Sequence, residues 1–453
     1  MTDAIRSYRR RIQGQTKARS AGSGRPLLTL YCWSGTFPTN TGAILKTVLL
    51  RLGGFIGFPL LGILTPLLLL PVIARVVGPS GWASVVSAMA IGAFGATAIM
   101  WGWNIRGTVL IASTASPTRR AELYGQSLLA RAVLAIVVLP LVGWITMLVA
   151  AEDIRLDAVA VALATACSAF SPAWFCVGIG APRLMGIFDT LPRVLSAVVA
   201  IPLVAFYNSV SIYPVLLFFF TAVALVAFRY TYFPRGAALR PRLRQTWTEM
   251  RKQFGSAGVN ISGSAYASVP VPIATLRGPA VVASIYSSAD QLYRFGLFTT
   301  IALGNTFQGW ILEVSGESRM NRHKAAFLSH AALGLVGAAV LTILGPLASA
   351  VLFSDEVAAR RATCALYGAA FFFINIATPL TRNLLIPAGK DFYVLLGTLA
   401  AGVTGVTLML TLPVSEQLTV IALGVAASEG LLFLILLPKA VRVLRAESVP
   451  SAV

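Results

Sequence analysis

Apolar segments of about 20 residues follow one another along most of this chain, separated by short polar or turn-forming stretches. A helix needs about 20 mainly apolar residues to cross a bilayer, and the period-2 alternation of a membrane barrel is absent from the sequence. The pattern therefore predicts an all-α integral membrane protein with about 12 transmembrane helices. The predicted spans cover residues 52–76, 82–100, 128–150, 158–177, 194–206, 212–233, 254–274, 281–311, 326–353, 366–386, 393–412 and 418–437.

A polar, basic stretch at residues 229–252 divides these spans into two sets of six. The pair Gly78-Pro79 after the first span recurs as Gly278-Pro279, 200 residues later. An offset of six spans preserves direction through the membrane, so the pattern favours two parallel six-helix bundles, and transporters place substrate between such halves. A chance match of short apolar strings is the alternative. The predicted divisions are a basic cytoplasmic tail (1–47), an N-terminal bundle (48–233), a basic cytoplasmic linker (234–253), a C-terminal bundle (254–442) and a short cytoplasmic tail (443–453).

Charge refines this picture by giving an orientation. The 453 residues are 57% hydrophobic and 11% charged, with a net charge of +20. The basic residues fall mostly in every second connection, as the positive-inside rule requires. We therefore predict a multi-pass protein of the inner (cytoplasmic) membrane with both termini in the cytoplasm. Because the cations follow the loops rather than one patch, they do not indicate a nucleic-acid partner.

The sequence offers no catalytic or cofactor motif. The four cysteines lack metal-ligand spacing, His323 and His330 have no metal-ligand or nucleophile partner at motif spacing, and a phosphate-binding Gly-rich loop is absent. We expect neither enzymatic activity nor a bound cofactor, and no direct use of ATP.

Three stretches resemble one known family. Residues 70–83 contain Pro71, the pair Gly78-Pro79 and a following aromatic residue, Trp82; residues 278–294 and 382–390 match later helices less tightly. In layout, residues 48–442 resemble the Wzx-type polysaccharide flippases of the multidrug/oligosaccharidyl-lipid/polysaccharide exporter superfamily. Trp82 departs from the tyrosine that is more usual there, and the basic N-terminal tail is long.

The resemblance implies a flippase that carries an undecaprenyl-pyrophosphate-linked oligosaccharide from the inner to the outer leaflet by alternating access, for cell-surface polysaccharide biosynthesis. It also implies membrane lipids as partners, and a glycan polymerase or other assembly proteins alongside.

The eighth predicted span carries a polar stripe. At about 100° per residue, one face holds the following side chains: Ser287, Asp290, Gln291, Arg294, Asn305 and Gln308. Charges at membrane depth are costly and usually functional. Arg294 is our candidate for the pyrophosphate, because a guanidinium binds phosphate oxygens in pairs, with Asp290 orienting it or carrying a proton. The alternative is that these two residues only neutralise each other as a helix pair.

Other polar residues extend the candidate site. Glu429 lies near the middle of the last span, where apolar flanks prevent its side chain from reaching water, so it is a coupling-ion candidate together with Asp290. Arg382 and Arg131 are candidates for a cationic entrance that binds the substrate; they would equally reach inner-leaflet phosphates. Asn260, Ser264 and Ser268 in the seventh span predict close helix packing, and Pro270 and Pro272 a kink.

Three alternatives stay open. A multidrug exporter of the same superfamily would need an acidic cavity for cationic drugs, whereas this sequence has few acids and several arginines within its spans. A membrane glycan polymerase or ligase would need a large outer catalytic loop, whereas the predicted outer connections are short. A scaffold for glycan assembly that transports nothing is the third.

Overall fold

The computed structural model describes residues 41–233, 243–312, 317–413 and 419–448. Within these ranges every regular element is helical, which confirms the predicted all-α class. The chain divides into two compact units, residues 1–52 and 53–453; in the first unit, residues 41–52 are described and are helical. Most of the predicted tail, at 1–40, and residues 234–242 of the predicted linker lie outside the described residues.

The helices of the N-terminal half cover the first six predicted spans. In chain order they are α1 Thr41–Met100, α2 Thr108–Ser113, α3 Pro117–Val149, α4 Arg155–Cys167, α5 Ala173–Gly178, α6 Pro182–Met185, α7 Leu191–Tyr207 and α8 Ile212–Tyr232. Two π-helical turns, Trp103–Gly107 and Gly186–Thr190, lead into α2 and α7.

The C-terminal half begins with a helix that the sequence did not predict, inside the linker. The elements are α9 Leu243–Lys252, α10 Phe254–Ser268, α11 Pro270–Arg277, α12 Ala280–Leu312, α13 Glu317–Leu352, α14 Arg361–Pro379, α15 Asp391–Thr411 and α16 Thr419–Ser448. Helix α14 continues into a π-helical turn, Leu380–Leu385.

Helix α1 contains two predicted spans, and only Gly78 interrupts its helical geometry. Gly78 has φ 65° and ψ −173°, a conformation that is open to glycine and strained for other residues. Pro79 follows at the first position of the resumed helix, where a missing N–H costs nothing. The sequence predicts a turn over 78–81; the structure replaces it with a one-residue kink.

The seventh predicted span is broken as its prolines predict. Helix α10 ends at Ser268 and α11 begins at Pro270, because proline cannot donate a backbone hydrogen bond and its ring clashes with the preceding turn. The break leaves backbone carbonyls of the last turn of α10 open to other donors.

Nine helical segments of the described residues are long and apolar enough to cross a membrane. Of the other predicted spans, the first lies in α1 before the kink, and the seventh is divided between α10 and α11, each too short to span alone. Helix α12 is long enough, but its polar stripe lowers its hydropathy. The fold is nevertheless the all-α, twelve-helix arrangement that the pattern predicts.

The hydrophobic cores distinguish the two ends of the helix bundle. We call the end with Gly78 and Gly278 the Gly78 end, and the end with helix α9 the α9 end. One core at the Gly78 end contains buried residues of both halves, from Leu69 to Val210 and from Val271 to Ala426. At the α9 end there are two further cores: one around Tyr124, which includes Met250 of α9, and one around Leu384. The halves therefore share one core at the Gly78 end, and contacts such as the hydrogen bond from Asn260 to Asn104 Oδ1 also join them nearer the α9 end.

Candidate functional site

A chain of hydrogen bonds surrounds Asp290 in the middle of helix α12. Arg294 Nε donates to Asp290 Oδ2 at 2.5 Å, and the Tyr367 hydroxyl of α14 donates to Asp290 Oδ1 at 2.9 Å. The hydroxyls of Tyr286 and Tyr367 are 2.5 Å apart. Because the Tyr367 proton is directed at Asp290, Tyr286 must be the donor to Tyr367. Both oxygens of the Asp290 carboxylate are thus satisfied within the C-terminal half.

Arg294 also connects α12 to the break in the seventh span. Its second terminal nitrogen donates to the carbonyl oxygen of Ala267 at 2.7 Å, one turn before Pro270. The Arg294 side chain is 28% exposed, against 3% for Asp290. The guanidinium therefore holds the end of α10 while part of it stays accessible.

A second polar group lies nearer the α9 end. Arg382 of the π-helical turn donates to Asn305 Oδ1 at 2.9 Å, and Asn305 is exposed. Asn305 is eleven residues beyond Arg294 on the same face of α12, about 16 Å along the helix axis. The structure thus brings Arg382 and Asn305 together and aligns them with Arg294, as the predicted stripe requires.

The rest of the predicted stripe is buried. Ser287 donates to the carbonyl of Ala283, and Gln291 is 7% exposed. The side chain of Gln308 lies outside the described part of the structure.

Glu429 is buried in α16 and separate from the Asp290 pair. It is 5% exposed, and its Oε2 atom has no hydrogen-bond partner among the described residues. Tyr266 of α10 and Tyr293 of α12 lie within electrostatic range of its carboxylate. A buried carboxylate without a partner is costly to hold charged, so a bound cation or proton would be stabilised at this position.

Arg131 lies in the N-terminal half and is fully buried. It donates to the backbone carbonyls of Ser127, Ala169 and Ser171 at 2.7–3.2 Å, and its guanidinium lies 5.8 Å from the centre of the Trp174 ring. The carbonyls of Ala169 and Ser171 lie where α4 ends and the chain turns toward α5. Arg131 therefore stabilises that break, and the structure does not bring it together with Arg294.

Polar contacts join the two halves along α1. Trp82 Nε1 donates to Ser288 Oγ at 3.0 Å, and the Ala83 amide donates to Ser284 Oγ at 2.9 Å, both at the Gly78 end. Further along, Ser264 and Thr97 hydroxyls are 3.1 Å apart. The contact of Ser264 agrees with the close packing that the sequence predicts for the seventh span, and Ser284 and Ser288 of α12 make further contacts of this kind.

The charges of this site, all on helices of the C-terminal half, differ in accessibility according to sign. Arg294 and Arg382 are half-buried, with part of each guanidinium accessible, whereas Asp290 and Glu429 are buried. Positive charge is therefore what the accessible part of this site presents, among the described residues.

Sequence reasoning missed the tyrosines of this site. Tyr286 stands one helical turn before Asp290 and could have been found on the same helix face. Tyr367 is 77 residues away, and only the packing of α14 against α12 brings it to the carboxylate. The polar stripe identifies α12 as a candidate helix but does not indicate which residues of other helices contact it.

Comparison with known proteins gives the fold a name. Neither a protein-family model nor a curated protein matches the chain. Among solved structures, an inward-facing multidrug resistance MATE family transporter of the MOP superfamily matches 88% of this chain over 100% of its own length, with a TM-score of 0.59 and 14% identity. A MATE transporter in the bent conformation matches 89% of this chain and 96% of its own, with a TM-score of 0.50 and 12% identity. The chain therefore has the MATE transporter fold, that of a multi-pass membrane protein.

Proposed function

We propose that this protein is an exporter of the inner membrane that moves a polyprenyl-pyrophosphate-linked oligosaccharide from the inner to the outer leaflet, for cell-surface polysaccharide biosynthesis. The observation that carries the proposal is the accessibility of the charges at the site around Asp290. Arg294 and Arg382 expose positive charge, while Asp290 and Glu429 are buried. Guanidinium groups bind phosphate oxygens in pairs, so an anionic head group fits this site better than a cationic drug.

Alternating access supplies the path. From the positive-inside distribution we infer that the α9 end and both termini lie in the cytoplasm. Arg382 is then near the cytoplasmic entrance and Arg294 deeper in the membrane. The pyrophosphate passes from the first guanidinium to the second, while the polyprenyl chain stays in lipid. The chain divides for this purpose into the bundles 48–233 and 254–442, joined by the linker 234–253.

The direct test is mass spectrometry of lipid-linked intermediates after depletion of the protein, with accessibility from the outer leaflet scored separately. Complete oligosaccharide units should accumulate on undecaprenyl pyrophosphate and stay inaccessible from outside. Accumulation on the outside, unpolymerised or untransferred, would assign the protein to a later enzymatic step. No change in these lipids would end the glycan proposal.

Variants connect the phenotype to the site. Arg382→Gln is expected to reduce flipping about ten-fold or more, because a charge-assisted contact to phosphate contributes about 1.5–3 kcal/mol. Arg442→Gln, which removes an exposed charge from helix α16, is the matched control and should leave flipping unchanged. Equal effects of the two substitutions would show that overall charge, not this site, matters. If Arg294→Gln retains full export while deletion of the protein abolishes it, the scaffold alternative stands.

A cation-coupled multidrug exporter is the second candidate, and Glu429 is the observation that favours it. A buried acid without a hydrogen-bond partner at Oε2 suits the exchange of a proton or metal cation against a cationic drug. Drug sensitivity after depletion, with unchanged lipid-linked sugars, would select this candidate.

A further inference from the structure

The linker helix α9 carries exposed apolar side chains beside its buried ones. Thr246 and Met250 are buried, whereas Leu243 is 70% exposed and Trp247 is 56% exposed. At 100° per residue, Leu243, Trp247 and Arg251 share one side of the helix, about a quarter turn from the buried residues. We call it the Trp247 side. Packing against α3 therefore leaves part of the apolar surface of α9 uncovered.

The contacts of α9 place it at the level where membrane spans end. The Trp101 indole, directly after the span Leu68–Met100, donates to the carbonyl of Met250 at 3.1 Å. The Met250 side chain lies in the same core as Phe233, which follows the span Ile212–Tyr232. Only one residue separates α9 from α10, the first helix of the seventh predicted span. Helix α9 therefore lies at the boundary between bilayer and water.

The charges of the Trp247 side are positive. The Arg251 guanidinium stacks on the Trp247 ring, 5.4 Å from its centre, and Arg244 is exposed next to it. The acid of α9, Glu249, lies on another side of the helix and pairs with Lys252 at 2.9 Å. In the whole predicted linker, residues 234–253, six basic residues accompany this one acid. The Trp247 side therefore complements a negatively charged surface.

Tryptophan beside arginine at this depth is typical of a helix that lies in the membrane interface. An indole ring puts its apolar body near the acyl chains and its N–H among the head groups. Arginine reaches the phosphates and binds their oxygens in pairs. Polar amphipathic helices with cations around an apolar side bind lipid surfaces through both kinds of contact. Phe254, the first residue of α10, is 68% exposed and adds apolar surface at the same level.

We propose that the Trp247 side of α9 docks on anionic phospholipid, with the indole in the interface and with Arg244 and Arg251 on lipid phosphates. A protein partner is the less suitable occupant, because the exposed apolar residues lie at the depth of the head groups. Docking holds the start of α10 at a constant depth, since one residue joins the two helices. The proposal does not depend on the identity of the transported substrate.

The experiment uses the purified full chain in nanodiscs, whose two faces carry the same lipids, so the result does not depend on which leaflet α9 meets. One set contains phosphatidylcholine alone, and the other contains one quarter phosphatidylglycerol. Tryptophan fluorescence is quenched either by a phospholipid brominated in the upper acyl chain or by aqueous acrylamide. Because the chain has eight tryptophans, the Trp247 signal is the difference between the wild type and Trp247→Phe. Brominated lipid should quench this signal strongly, acrylamide should quench it weakly, and phosphatidylglycerol should enhance the quenching by lipid.

Charge variants test the preference for anionic lipid. Amide hydrogen exchange over residues 243–252 should slow when phosphatidylglycerol is added. This slowing should shrink about five-fold in Arg244→Gln or Arg251→Gln, because a basic residue near an anionic surface contributes a factor of about five in binding. Lys252→Gln is the matched control: it removes a charge from another side of the same helix and should leave the slowing unchanged.

Two results would overturn the proposal. Quenching of the Trp247 signal by acrylamide but not by brominated lipid would place this side in the aqueous phase and favour a soluble protein partner. Equal responses of Arg251→Gln and Lys252→Gln to phosphatidylglycerol would show that the arginine of the Trp247 side does not bind the lipid. Thermal unfolding verifies that each variant is folded. Leu243→Trp, which adds a tryptophan on the same side, replaces Trp247→Phe if that variant does not fold.

Discussion

The hydrogen-bond chain from Tyr286 through Tyr367 to Asp290 predicts a graded loss of stability. Asp290→Asn removes the charge that Arg294 needs while keeping the shape of the side chain. Tyr367→Phe removes the hydroxyl that donates to Asp290, and Tyr286→Phe removes the next hydroxyl along the chain. The expected order of destabilisation is Asp290→Asn, then Tyr367→Phe, then Tyr286→Phe.

The magnitudes follow from burial and charge. Breaking a buried ion pair by removing one partner costs about 3–5 kcal/mol; because the Arg294 side chain is 28% exposed, solvent reduces this to about 2–4 kcal/mol. A hydrogen bond to a charged group contributes about 1.5–3 kcal/mol, which is the expected effect of Tyr367→Phe, and a neutral one about 0.5–1.5 kcal/mol, the effect of Tyr286→Phe. Asp290→Asn and Tyr367→Phe share an interaction, so combining them should reveal a coupling of about 1–2 kcal/mol.

The assay is equilibrium unfolding of the purified protein in mixed micelles with an increasing fraction of denaturing detergent. Tyr230→Phe is the matched control: Tyr230 is 71% exposed, and loss of its hydroxyl should change the free energy of unfolding by less than about 0.5 kcal/mol. The reasoning is refuted if Tyr367→Phe resembles this control, or if the double variant loses the plain sum of the two single effects.

Three further predictions concern packing, Arg131 and Glu429. An added Cβ at Gly337 would lie 2.1 Å from the Phe371 ring, and the other side of that ring packs on a second glycine, Gly296. Gly337→Ala should therefore lower the free energy of unfolding by about 1–3 kcal/mol in the same assay. Gly258→Ala is the control, because an added Cβ there meets nothing within 4 Å, and it should be neutral or stabilising. Arg131→Leu should lower the yield of folded protein, because it leaves buried carbonyls without donors, but it should preserve flipping per folded molecule. Loss of flipping in well-folded protein would show that Arg131 belongs to the substrate site. Glu429→Gln should keep or raise the stability of the protein, because Glu429 Oε2 has no hydrogen-bond partner to lose among the described residues. The same variant should abolish ion-driven transport in reconstituted vesicles. Undiminished transport would show that Glu429 does not bind the coupling ion.

The sequence predicts the helices well because each apolar segment must satisfy its own backbone in the membrane. Glycine and proline then mark interruptions, as at Gly78 and at Pro270. The sequence does not show how many residues an interruption covers. Gly78-Pro79 is typical of a turn, but in the structure the helix resumes at Pro79. The linker helix α9 escaped notice because its ten residues are polar and basic, and only packing against α3 shows which face is buried.

The candidate site is less predictable because its residues are brought together by tertiary packing. The helix pair Asp290 and Arg294 follows from their spacing of four residues. Its neighbours do not: Tyr367 and the carbonyl of Ala267 belong to other helices. Arg131 is a residue that the sequence pattern assigns to the site but that tertiary packing holds elsewhere. At the start of a predicted span it resembles an entrance cation, but a buried guanidinium with five donors is equally suited to stabilise a helix break.

Under the proposed function, the contacts at the Gly78 end set the energy that transport has to overcome. Within the described residues, five hydrogen bonds join the halves there: Arg75 to Val351, Trp82 to Ser288, Ala83 to Ser284, Ser87 with Thr275, and Thr275 to the carbonyl of Ala83. At about 0.5–1.5 kcal/mol each, they favour the closed end by about 2.5–7.5 kcal/mol. A shift from one dominant state to the other requires about 5.5 kcal/mol, and one charge crossing the membrane potential supplies about 2.3 kcal/mol per 100 mV. Under the proposed function, one charge moved by the membrane potential, as on Glu429, therefore supplies part of this energy, and substrate binding at Arg294 has to supply the rest.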